Sequence, residues 1–409
     1  MRIAWITLDA LTPLNTAGRL GVYKRIEQLW DLNDIYLFYF YGNDYLKCQE
    51  DDLLCKCKEI HAYEKISSKL RLIMNYLSNP FTLSTRMVET FVEDIEKCII
   101  NNNIELINID FPQMAWFLLV LKDKIDIPVV LNQHNIEWQR FFEISNSKSI
   151  NWIKRIASRA EAIKLKQFEE KLYRCAPIYA MTFVADEDRD YFKKWIPEFK
   201  GELVTIQGGA DIYDRKKVEH DGYNIVFVGV MSNELNPEGA LWFISTVMPL
   251  IEAKIPNIRL YVVGKDPIRS LLEINKKNVC VTGSVASVDE YYDIADLVII
   301  PIQHGGGVKL KLLEAISHKC PVVTTSQGAR GTSFQNMKEI YIDDTAEGFA
   351  EKCIYALNNP KVCMSMVNNA MKRFENTYTW NVIGRKYNNF LLNVIEDFDR
   401  TKNNESLYK

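Results

Sequence analysis

The chain has 409 residues, too many for one ordinary hydrophobic core, and this length predicts about two or three domains. Its composition is 47% hydrophobic and 25% charged with a formal net charge of −3, which is that of a soluble globular protein and excludes the strong basic excess of a nucleic-acid binder. The nine cysteines are scattered, with Cys55 and Cys57 one residue apart; neither a disulfide framework nor a paired C-x-x-C zinc site fits, so a reducing cytoplasm is expected.

The opening "MRIAWITLDALTPLNTAGR" has no long apolar core and no small-residue cleavage site, so no signal peptide is expected. No run of about 18 apolar residues predicts a membrane span. Short apolar runs instead recur along the chain with helical stretches between them. "RIAWIT", "IYLFYFY", "ELINIDF", "IPVVLNQ" and "YAMTFVA" lie in the first half, and "NIVFVGV", "RLYVVG", "VCVTGSV", "LVIIPI", "PVVTT" and "EIYID" in the second. Runs of this length, broken by Gly, Pro, Asn or Asp, predict parallel strands buried on both faces. Strands alternating with helices predict doubly wound α/β sheets.

Two stretches in the first half are basic and amphipathic. One is "KISSKLRLIMNYL" from Lys65. The other, "KSINWIKRIASRAEAIKLKQFEEKLYR" from Lys148, carries eight basic and three acidic residues, with Ile150, Ile153, Ile156 and Ala160 near helical spacing. Each fits either an anionic membrane surface or a charged helix packing its apolar face on its own domain. The alternation restarts near "DGYNIVFVGV" after the polar segment Tyr213 to Gly222, read here as a linker. The expected domains are thus residues 1–212 and 223–380, each Rossmann-like, facing a cleft. Residues 381–409 form an amphipathic helix returning to the first domain, with "TKNNESLYK" as a disordered tail.

The stretch "LVIIPIQHGGGVKLKLLEAISH" predicts strand, glycine turn and helix, a layout that presents backbone N–H groups and a helix dipole to an anion. Lys309 and Lys311 are placed in the first helical turn, where a cation opposes the dipole and a negative ligand offsets the cost. Glu314, one turn beyond Lys311, suits the vicinal hydroxyls of a ribose. Glycine turns also join strands to helices in any doubly wound protein. G-x-G-x-x-G is absent near the first strand, which argues against nicotinamide or flavin binding.

The block from "FVGVMSNELNPEGALWF" to "PVVTTSQGARG" resembles the donor-binding domain of glycosyltransferase family 4, retaining sugar transferases of the GT-B fold. "TPLNTAGRLGVYKRIEQL", "LNQHNIEWQRF" and "YTW" extend the likeness over most of the chain. The resemblance implies two Rossmann-like domains and a nucleotide-diphosphate sugar as co-substrate, with no metal and no other cofactor. It places Glu314 at the second glutamate of an E-x7-E motif, on the ribose, and Gly306 at the first, so this is a glycine-rich variant lacking one sugar contact. The Arg and Lys that commonly hold the phosphates are also missing: Val230 follows Gly229, and Glu238 precedes Gly239. Lys309 and Lys311 are expected to replace them.

From the first domain, Gly18 and Arg19 are expected to face the phosphates. His134, after a strand's carboxyl end, matches a histidine that contacts the donor sugar. The donor residues are completed by Gly229, His304, Gly305, Gly306, Gly307, Val308, Lys309, Leu310 and Glu314, with His134 and Lys311 catalytic. His304 is expected to donate to the sugar hydroxyls out of reach of Gly306. Asp211 is read as a helix or turn cap, while His61, His220 and His318 receive no role. The implied chemistry is front-face attack by an acceptor hydroxyl on a glycan, lipid-linked or protein acceptor, in bacterial envelope synthesis. Two alternatives remain open: a sugar-nucleotide 2-epimerase on the same scaffold, and a catalytically weak subunit supporting an active partner.

Overall fold

All the apolar runs form parallel strands in the computed structural model, which describes residues 1–14, 16–42, 55–146, 151–233 and 235–407. The chain divides into two units. Unit 1 comprises Met1–Ser145, Ile156–Gln207 and Ile383–Lys409, and unit 2 comprises Asn146–Arg155 and Gly208–Val382. The change from unit 1 to unit 2 thus falls at 207/208 instead of 212.

Unit 1 holds β1 (Arg2–Ile6), β2 (Asp34–Tyr41), β3 (Glu59–Glu64), β4 (Leu106–Asp110), β5 (Val129–Gln133), β6 (Ala180–Phe183) and β7 (Glu202–Thr205) in the order β3-β2-β1-β4-β5-β6-β7. Unit 2 holds β8 (Tyr223–Val228), β9 (Ile258–Val263), β10 (Val279–Gly283), β11 (Leu297–Ile300), β12 (Val322–Thr324) and β13 (Tyr341–Ile342) in the order β10-β9-β8-β11-β12-β13. Every pairing is parallel. Central strands such as β4, β5 and β11 are buried at every position, as a sheet with both faces covered requires. The winding reverses between β1 and β4 in unit 1 and between β8 and β11 in unit 2, so a crevice opens at the carboxyl ends of those strands.

Two strands, β3 (EIHAYE) and β7 (ELVT), have no apolar run in the sequence. Both are edge strands with exposed positions, and an edge half open to water does not need continuous apolar residues.

Segment 213–222 is not a free linker, because unit 2 holds it in place. Arg215 donates to the carbonyls of Ala295 and Lys319, the amides of Lys216 and Val218 donate to Asp293, and Tyr213 stacks on His318 at 4.1 Å. Asp211 begins no helix; the chain runs without regular structure to β8.

Among the helices are α1 (Ala17–Leu29), α2 (Lys69–Ser78), α3 (Trp152–Cys175), α4 (Leu310–Ser317) and α5 (Trp380–Leu407). The beginning of the second basic stretch, including Lys148 and Ile150, lies outside the described residues. From Ile383 onward α5 belongs to unit 1, where Tyr387 is fully buried with its hydroxyl 2.6 Å from Asn108 Oδ1 and 2.8 Å from Asn132 Oδ1. The tail differs from expectation, since α5 continues through "TKNNESL".

Tyr387→Phe removes the hydroxyl facing two buried amide oxygens, and a loss of about 1–3 kcal/mol is expected. Thermal unfolding checks this, and an unchanged Tm counts against the assigned role.

Candidate functional site

Each unit carries a cluster of polar side chains at the crevice where its winding reverses. In unit 2, Gly229 follows β8 and residues 301–309 follow β11, its neighbour. Gly305 and Gly307 have φ of +103° and +67°, a left-handed backbone that glycine adopts at least cost. Lys309 does not lie inside the helix as expected. It is the extended N-cap residue of α4, with φ −88° and ψ 94°. Its ammonium folds back onto the carbonyl oxygens of Gly305 (2.8 Å), Gly306 (2.6 Å) and Gly307 (3.5 Å). In a trans peptide the C=O and the next N–H point opposite ways, so the N–H groups of Gly306 and Val308 are turned away from that ammonium. Lys309 therefore shapes the loop from behind.

Lys311 is the cation with the ligand-like setting. Its Nζ donates to Asn236 Oδ1 at 2.5 Å and lies 4.7 Å over the Phe227 ring. Asn236 is oriented for this by its own Nδ2, which donates to the Val230 carbonyl at 2.8 Å. A Cβ on Gly229 would lie 2.9 Å from Nζ, so the bare residue after β8 makes room for the ammonium. Lys311 as a whole is partly buried, but its ammonium is enclosed. Burial pushes its pKa down to about 7, against the attraction of Glu314 and with the repulsion of Lys309.

Glu314 stands one turn further along α4, with Oε2 3.5 Å from the Tyr292 hydroxyl. Burial raises its carboxyl above the usual range, against the opposing pull of Lys311 and His318. His318, which has no role in the sequence reading, braces this corner. Its ring stacks on Tyr213 and on Tyr292 (4.3 Å), with Nε2 2.9 Å from Asp289 Oδ1 and Nδ1 2.7 Å from the Glu314 carbonyl. Val308 and Leu310 pack against the unit 2 core. The His304 side chain is exposed, 3.9 Å from Glu238.

In unit 1 the cluster gathers at the ends of β4 and β5. His134 follows β5 and stacks on Phe111 at 4.2 Å. Phe111 holds φ +72°, a strained conformation for a bulky residue and one that recurs at functional sites. Asp110, the last residue of β4, is fully buried and accepts from Trp5 Nε1 (2.7 Å) and from the Arg25 guanidinium of α1. His134 Nε2 lies 3.0 Å from both Asp110 Oδ1 and Arg25 Nη2. Burial would raise the Asp110 carboxyl, but Arg25 and His134 more than offset it and hold it below the ordinary range. Burial pushes the His134 pKa down, with Arg25 adding to the effect and the hydrogen bond to Asp110 opposing it.

Gly18, in the first turn of α1, is partly buried; a Cβ there would come 3.3 Å from the Phe111 ring. Arg19 lies beside it, its guanidinium 3.5 Å from the Pro13 carbonyl. Sequence reasoning missed Asn236, Tyr292, Arg25, Asp110 and Phe111. Asp110 alone carried a signal, as a charged residue ending an apolar run. Elsewhere, the ligand atoms of Glu59, His61 and Cys98 lie within 4.8 Å of one another. Burial raises that thiol's pKa and His61 stacks on Phe38, so the trio reads as packing at the β3 edge.

Residues 222–359, most of unit 2, match the protein-family model described as Glycosyl transferases group 1. Among solved structures, the chain is similar to a sucrose-phosphate synthase from Thermosynechococcus elongatus (TM-score 0.71, 15% identity, covering 97% of this chain and 100% of that one). It is similar also to a glycosyltransferase from Rickettsia africae (TM-score 0.64, 14% identity, 97% and 98%). HepE of Anabaena, solved in complex with UDP, aligns with a TM-score of 0.65 at 12% identity over 96% of this chain and 100% of that one. The fold is GT-B. A Klebsiella pneumoniae protein described as an uncharacterized 44.6 kDa protein in the cps region is 22% identical over 396 residues, covering 92% of this chain and 96% of the relative. The family match and the shared fold together support a glycosyltransferase.

Asp110→Asn leaves Arg25 buried without its counter-charge, and a cost of roughly 3–5 kcal/mol at pH 7 is expected. Because the folded carboxyl is held below its unfolded value of about 3.9, its contribution is present above that pH and lost as pH falls through the folded pKa. The Tm gap between wild type and variant should therefore narrow as pH is lowered from neutral to below about 4. A gap that widens on acidification refutes the assignment.

Proposed function

We propose that this protein is a metal-independent, retaining hexosyltransferase. It would move a sugar from a nucleotide-diphosphate donor to an acceptor hydroxyl in bacterial envelope polysaccharide or glycoconjugate synthesis. The observation that carries the proposal is the enclosed Lys311 ammonium beside a glycine turn, at the crevice where the unit 2 sheet reverses its winding. A diphosphate supplies the charge that this buried cation lacks. The backbone N–H groups of Gly306 and Val308, turned away from Lys309, add neutral donors for the same oxygens. Glu314 is assigned to the ribose hydroxyls, and its raised pKa reflects an enclosed carboxyl that such hydroxyls would satisfy.

Chemistry then consists of breaking the bond between the anomeric carbon and the diphosphate oxygen while the acceptor oxygen bonds to that carbon on the same face. The acceptor proton passes to the departing diphosphate. Lys311 stabilises the charge that develops there. His134, fixed by Asp110 and Arg25, is assigned to a sugar hydroxyl. The cps-region relative supports the polysaccharide setting, and the bacterial cytoplasm with peripheral contact at the inner membrane face is the proposed location. Gly306, where the resemblance expects a carboxylate, favours a second reading as a weak subunit supporting a partner; released nucleotide and glycosylated product distinguish the two. An epimerase would consume no acceptor and release no nucleotide as a final product, yielding an epimerised nucleotide sugar instead.

UDP is the first probe, since HepE was solved with it. Bound diphosphate favours the protonated amine, whereas the free protein loses that proton above about pH 7. Affinity should therefore fall as pH rises, by roughly tenfold between about pH 6.5 and 8.5, and Lys311→Met should weaken binding and abolish that slope. Calorimetric titration measures both. An unchanged dissociation constant in Lys311→Met removes the diphosphate assignment, and a flat response to all nucleoside diphosphates removes the transferase reading.

A further inference from the structure

Helix α2 is amphipathic with its apolar side facing outward. Leu70, Ile73, Met74 and Leu77 follow i, i+3, i+4, i+7 spacing, the stripe that a globular protein normally turns to its core. Here they are between 61% and 76% exposed, and no residue of the helix is buried. Phe81, just beyond, is 54% exposed.

The orientation is fixed from the opposite side. Asn75 Nδ2 donates to the Ser84 carbonyl at 3.2 Å. Lys164 of α3 donates to the Tyr76 carbonyl and lies 3.5 Å over the Tyr76 ring. Glu161 of α3 accepts from the Phe81 amide at 2.8 Å, and burial of that carboxylate accompanies the contact. Polar and aromatic contacts thus hold α2 down by its less apolar face while the aliphatic stripe points to solvent. Helix α3 itself exposes Ile156 and Ile163.

Charge identifies the occupant. From Lys65 to Arg86 there is no acidic residue. Lys65 and Arg86 are drawn inward to Asp9, which leaves the exposed Lys69 and Arg71 flanking the stripe. A second copy of this chain seated on the stripe would bring the same cations against themselves. An anionic lipid surface meets both properties, taking aliphatic side chains between its headgroups and cations against its phosphates. Among the described residues no helix is long and apolar enough to cross a membrane, so the attachment is interfacial.

We propose that α2 docks this protein on an anionic bilayer, with Leu70, Ile73, Met74 and Leu77 inserted at the headgroup level and Lys69 and Arg71 on the lipid phosphates. This surface is distinct from the nucleotide cluster, and the inference does not depend on the transferase reading.

The test is cosedimentation of the full chain with phosphatidylcholine vesicles, with and without phosphatidylglycerol. Two variants accompany the wild type: one with Leu70→Ser, Ile73→Ser, Met74→Ser and Leu77→Ser together, the other with Lys69→Glu and Arg71→Glu. All six side chains lie on the exposed face, and a retained Tm shows that each variant is folded. Wild type should bind phosphatidylglycerol vesicles and be released by high salt. The serine variant should stay in the supernatant, and the charge reversal should cut partitioning by roughly tenfold or more. Absence of wild-type binding, or binding untouched by both variants, overturns the proposal. So does a dimer seen by analytical ultracentrifugation that the serine variant dissociates while vesicle binding is missing. Nucleotide binding, measured separately, is unaffected in every arm.

Discussion

Parallel strands buried on both faces can offer chemistry only at their ends, and this constraint governs where polar groups gather in the protein. Backbone hydrogen bonding consumes the strand interiors of both sheets, and apolar side chains fill the layers above and below. What stays available is the carboxyl edge, widest where successive crossovers turn to opposite sides. In unit 2, Gly229 and the 303–309 turn flank that point; in unit 1, Asp110 ends the strand at its own reversal, and His134 follows the next strand. Neither cluster needs a special explanation for its position. The sheet order supplies it.

Within unit 2 the two neighbouring lysines at the start of α4 have opposite fates, and backbone geometry separates them. Lys309 sits before the first helical turn, close enough to the glycine carbonyls to neutralise them, and so functions as part of the loop. Lys311, two residues on, points to a neighbouring strand's end, where an amide oxygen receives it. A neutral acceptor is poor compensation for an enclosed ammonium. The proposed diphosphate would correct that imbalance.

The sequence displayed most of the architecture because core strands of a doubly wound fold must be continuous apolar runs. It hid β3 and β7 because edge strands escape that requirement. It showed the glycine turn, Lys311 and Glu314, whose spacing is local. It hid Asn236, Tyr292 and Arg25, since each works through a neighbour some 20 or more residues away and none has a distinctive local pattern. Segment 213–222 misled for a related reason: its polar, basic character suits a solvated linker equally well as a strap whose Arg215 and Lys216 meet carbonyls and a carboxylate. The basic helices misled in neither direction, because amphipathicity alone does not say which way a stripe faces; the Tyr76 and Phe81 contacts decide it.

Unit 1 is assembled from three stretches of chain, the last of which begins at Ile383. A ribosome therefore completes all of unit 2 before it makes the part of α5 that carries Tyr387. Until then Asn108 and Asn132 have each other and Thr182 but lack the hydroxyl that meets both in the finished fold. Synthesis order and folding order diverge here, so the earliest residues made are among the last to reach their final environment.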